Sequence, residues 1–316
     1  MLLGRRLSKM RTESIAALQT SRAEAGPLVR SNRLGDYWAL TKPDVNILIA
    51  VTTFAGFCLA SSDFRAFPVL LLFHTLLGTL LVASGSGTLN QFIERRFDAQ
   101  MRRTKRRPLA AGKIEPSRAL WFGIFLSGVG TIYLAAAVNV LASVLAVLTL
   151  VNYLMVYTPL KRKTPLCTLI GALPGAVPPL IGWAAASGRL SLEAWVLYGI
   201  VFFWQFPHFM AIAWMYREDY DRAGYLVLPK GRRRSSFMVW QSVLPSLALV
   251  PLSLAPMLLG NEGVIYGVGA LLLSVCFCYY GAQLSVRRNN GAAQRLLLAS
   301  ILYLPLLFVL MVLDKA

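Results

Sequence analysis

Charge is scarce in this chain. Charged residues make up 15% of its 316 positions, against about 25% in an ordinary soluble domain. Together with 56% hydrophobic residues, that shortage excludes a water-soluble globule. It leaves an integral membrane protein whose core is helix packing in lipid. Acidic residues are scarcer still, 14 against 32 lysines and arginines, for a formal charge of +18. Nucleic acid is excluded as the reason for that excess, because the basic residues sit in short links between apolar runs. There they read as topology signals and contacts to anionic headgroups. Cysteine is limited to Cys58, Cys167, Cys276 and Cys278. All lie in or beside apolar runs and none makes a C-x-x-C, so no disulfide framework or zinc site follows, and the thiols read as small buried apolar groups. Histidine is limited to His74 and His208. Residues 1–43 contain no apolar stretch of useful length, which excludes a secretory signal.

What is present is a succession of apolar runs. Nine membrane spans are expected, at 45–61, 67–89, 119–137, 140–157, 165–186, 192–214, 237–259, 263–284 and 296–313. Ahead of them, residues 1–36 read as a basic, mostly disordered tail, and residues 37–316 as one transmembrane domain. Tyr37 and Trp38 are expected at headgroup level. The fifth span carries Pro174, Pro178 and Pro179, which predicts a kink beside a cavity. With nine spans, one face of the membrane receives all the lysines and arginines except Arg65, Arg189 and Lys315. That asymmetry supports the span count and an N-terminus on the cytoplasmic (or matrix) side.

The chemistry is expected on that same face. Asn90, Glu94 and Asp98 follow the second run at four-residue intervals, and Arg102, Arg103, Lys105, Arg106 and Arg107 follow them. On a helix, steps of four keep the three oxygen-bearing side chains on one face. One or two carboxylates with phosphate oxygens and water is the usual way to hold Mg²⁺, and arginines suit phosphate. The plainer reading is a juxtamembrane cuff of charge that only fixes topology. A second acidic cluster, Glu218, Asp219 and Asp221, follows the sixth run. Spans 2 and 6 are four helices apart, which suggests two pseudo-repeated four-helix halves plus a ninth helix. Two facing acidic clusters repel unless cations lie between them, and metal ions bridging a diphosphate resolve that repulsion. The link Lys161-Arg162-Lys163 adds cations on the same face. Once a diphosphate is neutralised it can leave an allylic carbon. Aromatic faces can stabilise the resulting cation, and apolar walls can keep water away. Phe202, Phe203, Trp204, Phe206 and Phe209 could form such walls, although membrane aromatics more often only pack. His208 lies deep in span 6, where an ionisable group is a functional candidate by default. Ligation of a haem iron and a hydrogen bond to a polar partner are both open to it.

Four stretches together carry a family resemblance: LTKPDV at the first span, N-x₃-E-x₃-D-x-x-M-x-R-T-x-x-R-P from Asn90 to Pro108, YTPLKRKTP with the Pro-rich span after it, and WQFPHFMAIAWMYREDYDRAG. From about Tyr37 to the last span, the chain resembles the UbiA superfamily of intramembrane prenyltransferases, and within it the branch that farnesylates haem B. The short leader favours a bacterial inner membrane over a mitochondrial one. The resemblance implies an all-α bundle of nine spans. It implies an Mg²⁺-dependent reaction of farnesyl diphosphate and water with haem B, giving haem O for terminal oxidases or for haem A synthase. It assigns metal and diphosphate chemistry to Asn90, Glu94 and Asp98, diphosphate binding to Arg103, Arg107 and Lys161, and metal binding to Glu218 and Asp219; the haem contact expected of His208 rests on its depth in span 6. Glu94 departs from the aspartate usual at its position, and the wider D-x₃-D is absent, because Ala223 stands four residues after Asp219. Lys230 departs from a more apolar loop. The alternative acceptor is an aromatic acid or quinone precursor. A transporter would carry polar residues along its spans, whereas nearly all charge here is at their inner ends. A scaffold without catalysis leaves the spacing of Asn90, Glu94 and Asp98 unexplained.

Overall fold

Lipid satisfies no backbone hydrogen bonds, so each apolar run must fold as a helix. A computed structural model of the chain describes residues 33–61, 67–229, 231 and 233–315. Among them nine helices are long and apolar enough to cross a membrane. The only β-pairing among the described residues is an isolated bridge between Glu262 and Lys315. The chain divides into two units between Asp36 and Tyr37. Residues 1–32 of the expected tail, with Arg65 and Lys230, lie outside the described residues.

A short helix α1 (Arg33–Leu40) precedes the first span, α2 (Pro43–Ala60). The next spans are α3 (Val69–Asp98), α4 (Pro116–Ala137) and α5 (Val140–Leu160). The fifth is broken into α6 (Cys167–Gly175) and α7 (Pro178–Ser187). Then come α8 (Leu192–Met215), a short α9 (Arg217–Arg222), α10 (Arg233–Leu258), α11 (Val264–Arg287) and α12 (Asn290–Leu313). Each span packs on the next in sequence and α12 returns to α2, so the helices close into a ring. The close pairing of the second span with the third recurs between the sixth and seventh, with α12 added against α8.

Three departures from the expected spans have local causes. First, α3 continues to Asp98 instead of stopping near residue 89, because its polar extension turns inward. Asn90, Gln91, Glu94 and Asp98 are all buried. Second, α12 starts before its apolar stretch. Asn289 caps it by accepting the backbone N–H of Ala292 at 2.8 Å, which satisfies one of the free donors of a helix start. Third, the expected kink in the fifth span is a full break at Ala176–Val177, with Pro178 opening the second half. Gln205 of α8 donates Nε2 to the carbonyl of Ala172 at 3.1 Å beside that break. The second half is held against α2 through backbone contact. A β-carbon on Gly182 would lie 1.9 Å from the carbonyl oxygen of Thr53, so only glycine allows the helices to cross so closely.

Trp38 is 66% exposed, as a headgroup anchor should be, whereas Tyr37 packs edge-on against Phe122 at 5.0 Å. Leu40, Leu109, Ile114 and Ala119 form a small apolar cluster under this corner. Gln91 of α3 donates to the carbonyls of Ala39 and Leu40 at 3.0 and 3.1 Å. The start of α2 is thereby fixed to the helix that bears the acidic residues.

Candidate active site

Asn90, Glu94 and Asp98 share one face of α3, as their spacing predicts, and line a cavity of about 210 Å³ at one end of the helices. Each has 6% or less of its surface exposed. Each is met by one cation from a different segment. Lys42, at the turn into α2, donates Nζ to Asn90 Oδ1. Lys161, after α5, lies 2.9 Å from Glu94 Oε1. Arg107, in the loop after α3, reaches Asp98 Oδ2 and Oδ1 at 2.9 and 3.0 Å. Burial works against the Lys161 ammonium, but Glu94 and then Tyr157 and Tyr153 outweigh it and hold its pKa well above the usual lysine value. Lys42 behaves oppositely. Burial, with Arg107 and Lys161 nearby, pulls its pKa down despite Tyr153 and Glu94.

The fourth span supplies the opposite wall through a local irregularity. Within α5, Asn152–Tyr157 forms a π-helical turn before helical geometry resumes at Thr158. An α-helix gains 100° per residue, so four residues overshoot a turn, whereas a wider π turn undershoots it. The insertion therefore keeps Tyr153, Tyr157 and Lys161, spaced by four, facing one cavity. Lys161 Nζ lies 4.6 Å from the centre of the Tyr157 ring. Thr158 Oγ1 accepts from Asn90 Nδ2 at 3.1 Å and donates to the Tyr153 carbonyl at 2.8 Å. That pair fixes which way the Asn90 amide points.

Arg103 also lines the cavity. Its guanidinium covers the ring of Tyr216 at 4.7 Å and donates to the Tyr220 hydroxyl at 3.3 Å. Its backbone N–H donates to Asp219 Oδ2 at 3.2 Å, and Arg222 holds the other oxygen at 3.1 Å. Asp219 is buried; desolvation opposes its charge, but the backbone N–H groups and Arg222 prevail and lower its pKa. Thr104 Oγ1 donates to the Asp98 carbonyl at 2.9 Å, which folds the arginine loop back under α3. From α8 and beyond, Phe209, Ile212 and Val227 give the cavity an apolar side, and Tyr225 stands among the polar groups. Burial and then Glu94 push the Tyr225 phenol above its ordinary pKa.

The structure thus brings together Asn90, Glu94, Asp98, Arg103, Arg107 and Lys161. Asp219 stands one step back, behind the Arg103 backbone, and Glu218 is exposed and does not line the cavity. Of the aromatic residues of span 6 expected as walls, Phe209 lines the cavity; Trp204 and Phe206 are buried in packing. His208 also lies outside the cavity lining. Its Nδ1 meets Ser300 Oγ at 2.8 Å and its ring stacks on Trp204 at 4.8 Å. His74 meets the Tyr133 hydroxyl at 2.5 Å. Sequence reasoning missed Lys42, Tyr153, Tyr157 and Tyr225. The four-residue spacing of Tyr153 and Tyr157 from Lys161 was a signal for two of them.

Among the described residues no three His, Cys, Asp or Glu side chains gather closely enough to hold a metal ion unaided. The donors nevertheless fit a hard divalent cation that takes part of its shell from a phosphate ligand. They are carboxylate and amide oxygens, buried in a row, each already satisfied by a positive group.

A profile of the UbiA prenyltransferase family matches residues 49–308. The chain is similar to the protoheme IX farnesyltransferase of Solibacter usitatus (strain Ellin6076), 46% identical over 89% of this chain and 98% of the relative. It is 44% identical to the protoheme IX farnesyltransferase of Salinibacter ruber, over 89% of this chain and 99% of that protein. A solved digeranylgeranylglyceryl phosphate synthase superposes with a TM-score of 0.72 at 19% identity, covering 89% of this chain and 98% of that one. A UbiA homolog from Archaeoglobus fulgidus, bound to GPP and Mg²⁺, gives 0.60 at 16% identity, covering 87% and 99%.

Proposed function

Because the chain belongs to the UbiA prenyltransferase family, we propose that it transfers the farnesyl group of farnesyl diphosphate to haem B and, with water, forms haem O and diphosphate. The observation that carries this reading is the row of buried oxygens on α3 faced by Lys42, Lys161 and Arg107. It accompanies relatives named protoheme IX farnesyltransferase, which this chain matches over nearly their whole length. The acceptor comes from those names and the diphosphate chemistry from the residues.

The steps follow from charge. The cavity cations, with Arg103 at its rim, orient the diphosphate and stabilise the negative charge it gains as it leaves. Mg²⁺ is the cofactor the donors suit: Asn90, Glu94 and Asp98 would hold it, and it would neutralise the leaving diphosphate further. The bond from C1 of the farnesyl chain to oxygen breaks with its electron pair passing to diphosphate. C1 then bonds to the terminal carbon of a haem vinyl group. The cation left beside the porphyrin ring takes up water, which releases a proton. Phe209, Ile212 and Val227 line the side where an allylic cation needs dry surroundings. Asp219 acts here through Arg103, whose backbone it holds, while Glu218, expected at a metal, stands exposed outside the cavity lining.

His208 and Trp204 form the candidate acceptor contact, a flat aromatic pair deep in span 6. In His208→Ala, haem B binding measured by Soret absorbance should weaken about tenfold while farnesyl diphosphate binding holds; equal affinities for haem would make His208 a packing residue. The chain is a multi-pass membrane protein. Its basic asymmetry and its bacterial relatives favour the plasma membrane with the N-terminus inside. A cysteine at position 189 should then react with impermeant maleimide from outside the cell and one at position 113 should not.

The reading is tested by diphosphate release from purified protein supplied with farnesyl diphosphate and Mg²⁺. Release that requires haem B supports it. Release that requires an aromatic acid instead would retain the family and replace the acceptor.

A further inference from the structure

Three cations face three oxygen-bearing side chains, but their charges do not match one to one. Lys161 meets the carboxylate of Glu94 and Arg107 that of Asp98. Lys42 donates to the neutral amide of Asn90 and lies 5.9 Å from the centre of the Tyr153 ring, with no carboxylate in an ion pair with it among the described residues. An ammonium inside a cavity, beside two further cations and paired with no anion, is held at a cost in free energy. The protein goes to some length to hold it there. Lys42 has a left-handed backbone, φ 55° and ψ 62°, a conformation costing roughly 1–2 kcal/mol for a residue with a β-carbon. Asn46 secures the turn by donating to the Thr41 carbonyl at 3.0 Å and to Ser84 of α3 at 2.9 Å. The lysine stem passes over Gly87, whose added β-carbon would lie 3.4 Å from Lys42 Cγ and Cδ and 3.2 Å from the Thr41 carbonyl oxygen. Thr158 turns the Asn90 amide so that its oxygen, not its nitrogen, faces the ammonium. Strain supported from several sides marks a functional position more often than a packing one.

We propose that Lys42 is a phosphate-binding residue kept in reserve on Asn90, and that it passes from the amide to the diphosphate when a metal ion takes the amide oxygen. The inference rests on the diphosphate reading above. It makes Lys42 the link between two binding events. A metal ion arriving alone must displace the ammonium from Asn90 and leave it with no partner. Diphosphate arriving alone finds the ammonium engaged. Arriving together, the metal ion gains the amide oxygen and the ammonium gains a phosphoryl oxygen, so each ligand tightens the other. Lys161 and Arg107 already have carboxylates and do not carry the same imbalance.

The test uses the full chain in detergent and reads binding rather than turnover. Binding of Mn²⁺ alone is followed by electron paramagnetic resonance, and retention of radiolabelled inorganic diphosphate is followed at fixed free Mn²⁺. In the wild type, Mn²⁺ should bind weakly by itself and should tighten diphosphate binding by about 5- to 150-fold. In Lys42→Met, Mn²⁺ alone should bind several-fold more tightly and most of its effect on diphosphate should vanish. Lys42→Arg should keep that effect. Unchanged Mn²⁺ affinity and unchanged coupling in Lys42→Met would overturn the handover while leaving the diphosphate reading intact. No metal-dependent diphosphate binding in the wild type would overturn both. Should Lys42→Met not fold, a wild-type structure with Mn²⁺ and diphosphate decides: an ammonium on a phosphoryl oxygen supports the handover, and one still on Asn90 overturns it.

Discussion

The two carboxylate oxygens of Asp98 accept from a single Arg107 nitrogen, and both groups face the cavity. Replacing Asp98 by Asn keeps its shape and removes its charge. The guanidinium then loses a charge-assisted partner and a divalent cation loses a carboxylate. We expect kcat/KM to fall by at least about 100-fold (roughly 3 kcal/mol of lost stabilisation). The variant should keep its helical circular dichroism; normal turnover would remove Asp98 from the site. This residue was legible in the sequence because its partners on α3 repeat at helical spacing. Lys42 was not, because a lone lysine before a span looks like any topology charge. Its partner Asn90 is 48 residues away, and only the tertiary fold joins them. Asp219 was legible as an acid near a membrane exit, but its bond to the Arg103 backbone spans 116 residues and was not.

At the scale of elements, the decisive irregularity is the π turn in α5. The nine spans could be read from apolar length alone, and the break in the fifth from its prolines. The π turn has no such local signature. One extra residue is accommodated because Tyr153, Tyr157 and Lys161 must all face the cavity. Met155 lies within it, 70% exposed toward lipid. Inserting one alanine after Met155 should add about 100° of advance that the single π turn does not absorb, and rotate Tyr157 and Lys161 away from Glu94. Activity should drop by about two orders of magnitude or more, while thermal melting of the helical protein changes little. Retained activity would show that the turn does not set the register of the site.

Over the whole molecule, the two membrane faces differ. One face holds the cavity and most of the basic charge of the described residues; the opposite face holds a small latch that no sequence pattern announced. There, Lys315 donates to the carbonyls of Leu59 and Ser61 at 2.9 and 2.6 Å, tying the end of the chain to the end of α2. Asp314 accepts from the Tyr266 backbone at 2.7 Å. Beside them the Glu262 carboxyl is buried, and burial, with Asp314 adding to it against Lys315, pushes its pKa up to about 7. A raised carboxyl pKa means that the folded form binds the proton more tightly than the unfolded one. The stability it contributes is present in full below about 4.5 and is lost as pH rises through about 7. The wild type should therefore melt at a lower temperature at pH 8 than at pH 5.5, by on the order of 1–3 kcal/mol in stability. Glu262→Gln should flatten that difference, and an unaltered pH dependence would assign it elsewhere.

The most direct test of the central claim is the mass of the product. Purified protein is given haem B, farnesyl diphosphate and Mg²⁺ in detergent, and the porphyrin fraction is read by mass spectrometry. The account predicts a haem heavier by one farnesyl group plus one water, absent when the metal is chelated and absent in Asp98→Asn. Unmodified haem B from active protein that still transfers farnesyl to another acceptor, with release of diphosphate, would contradict it.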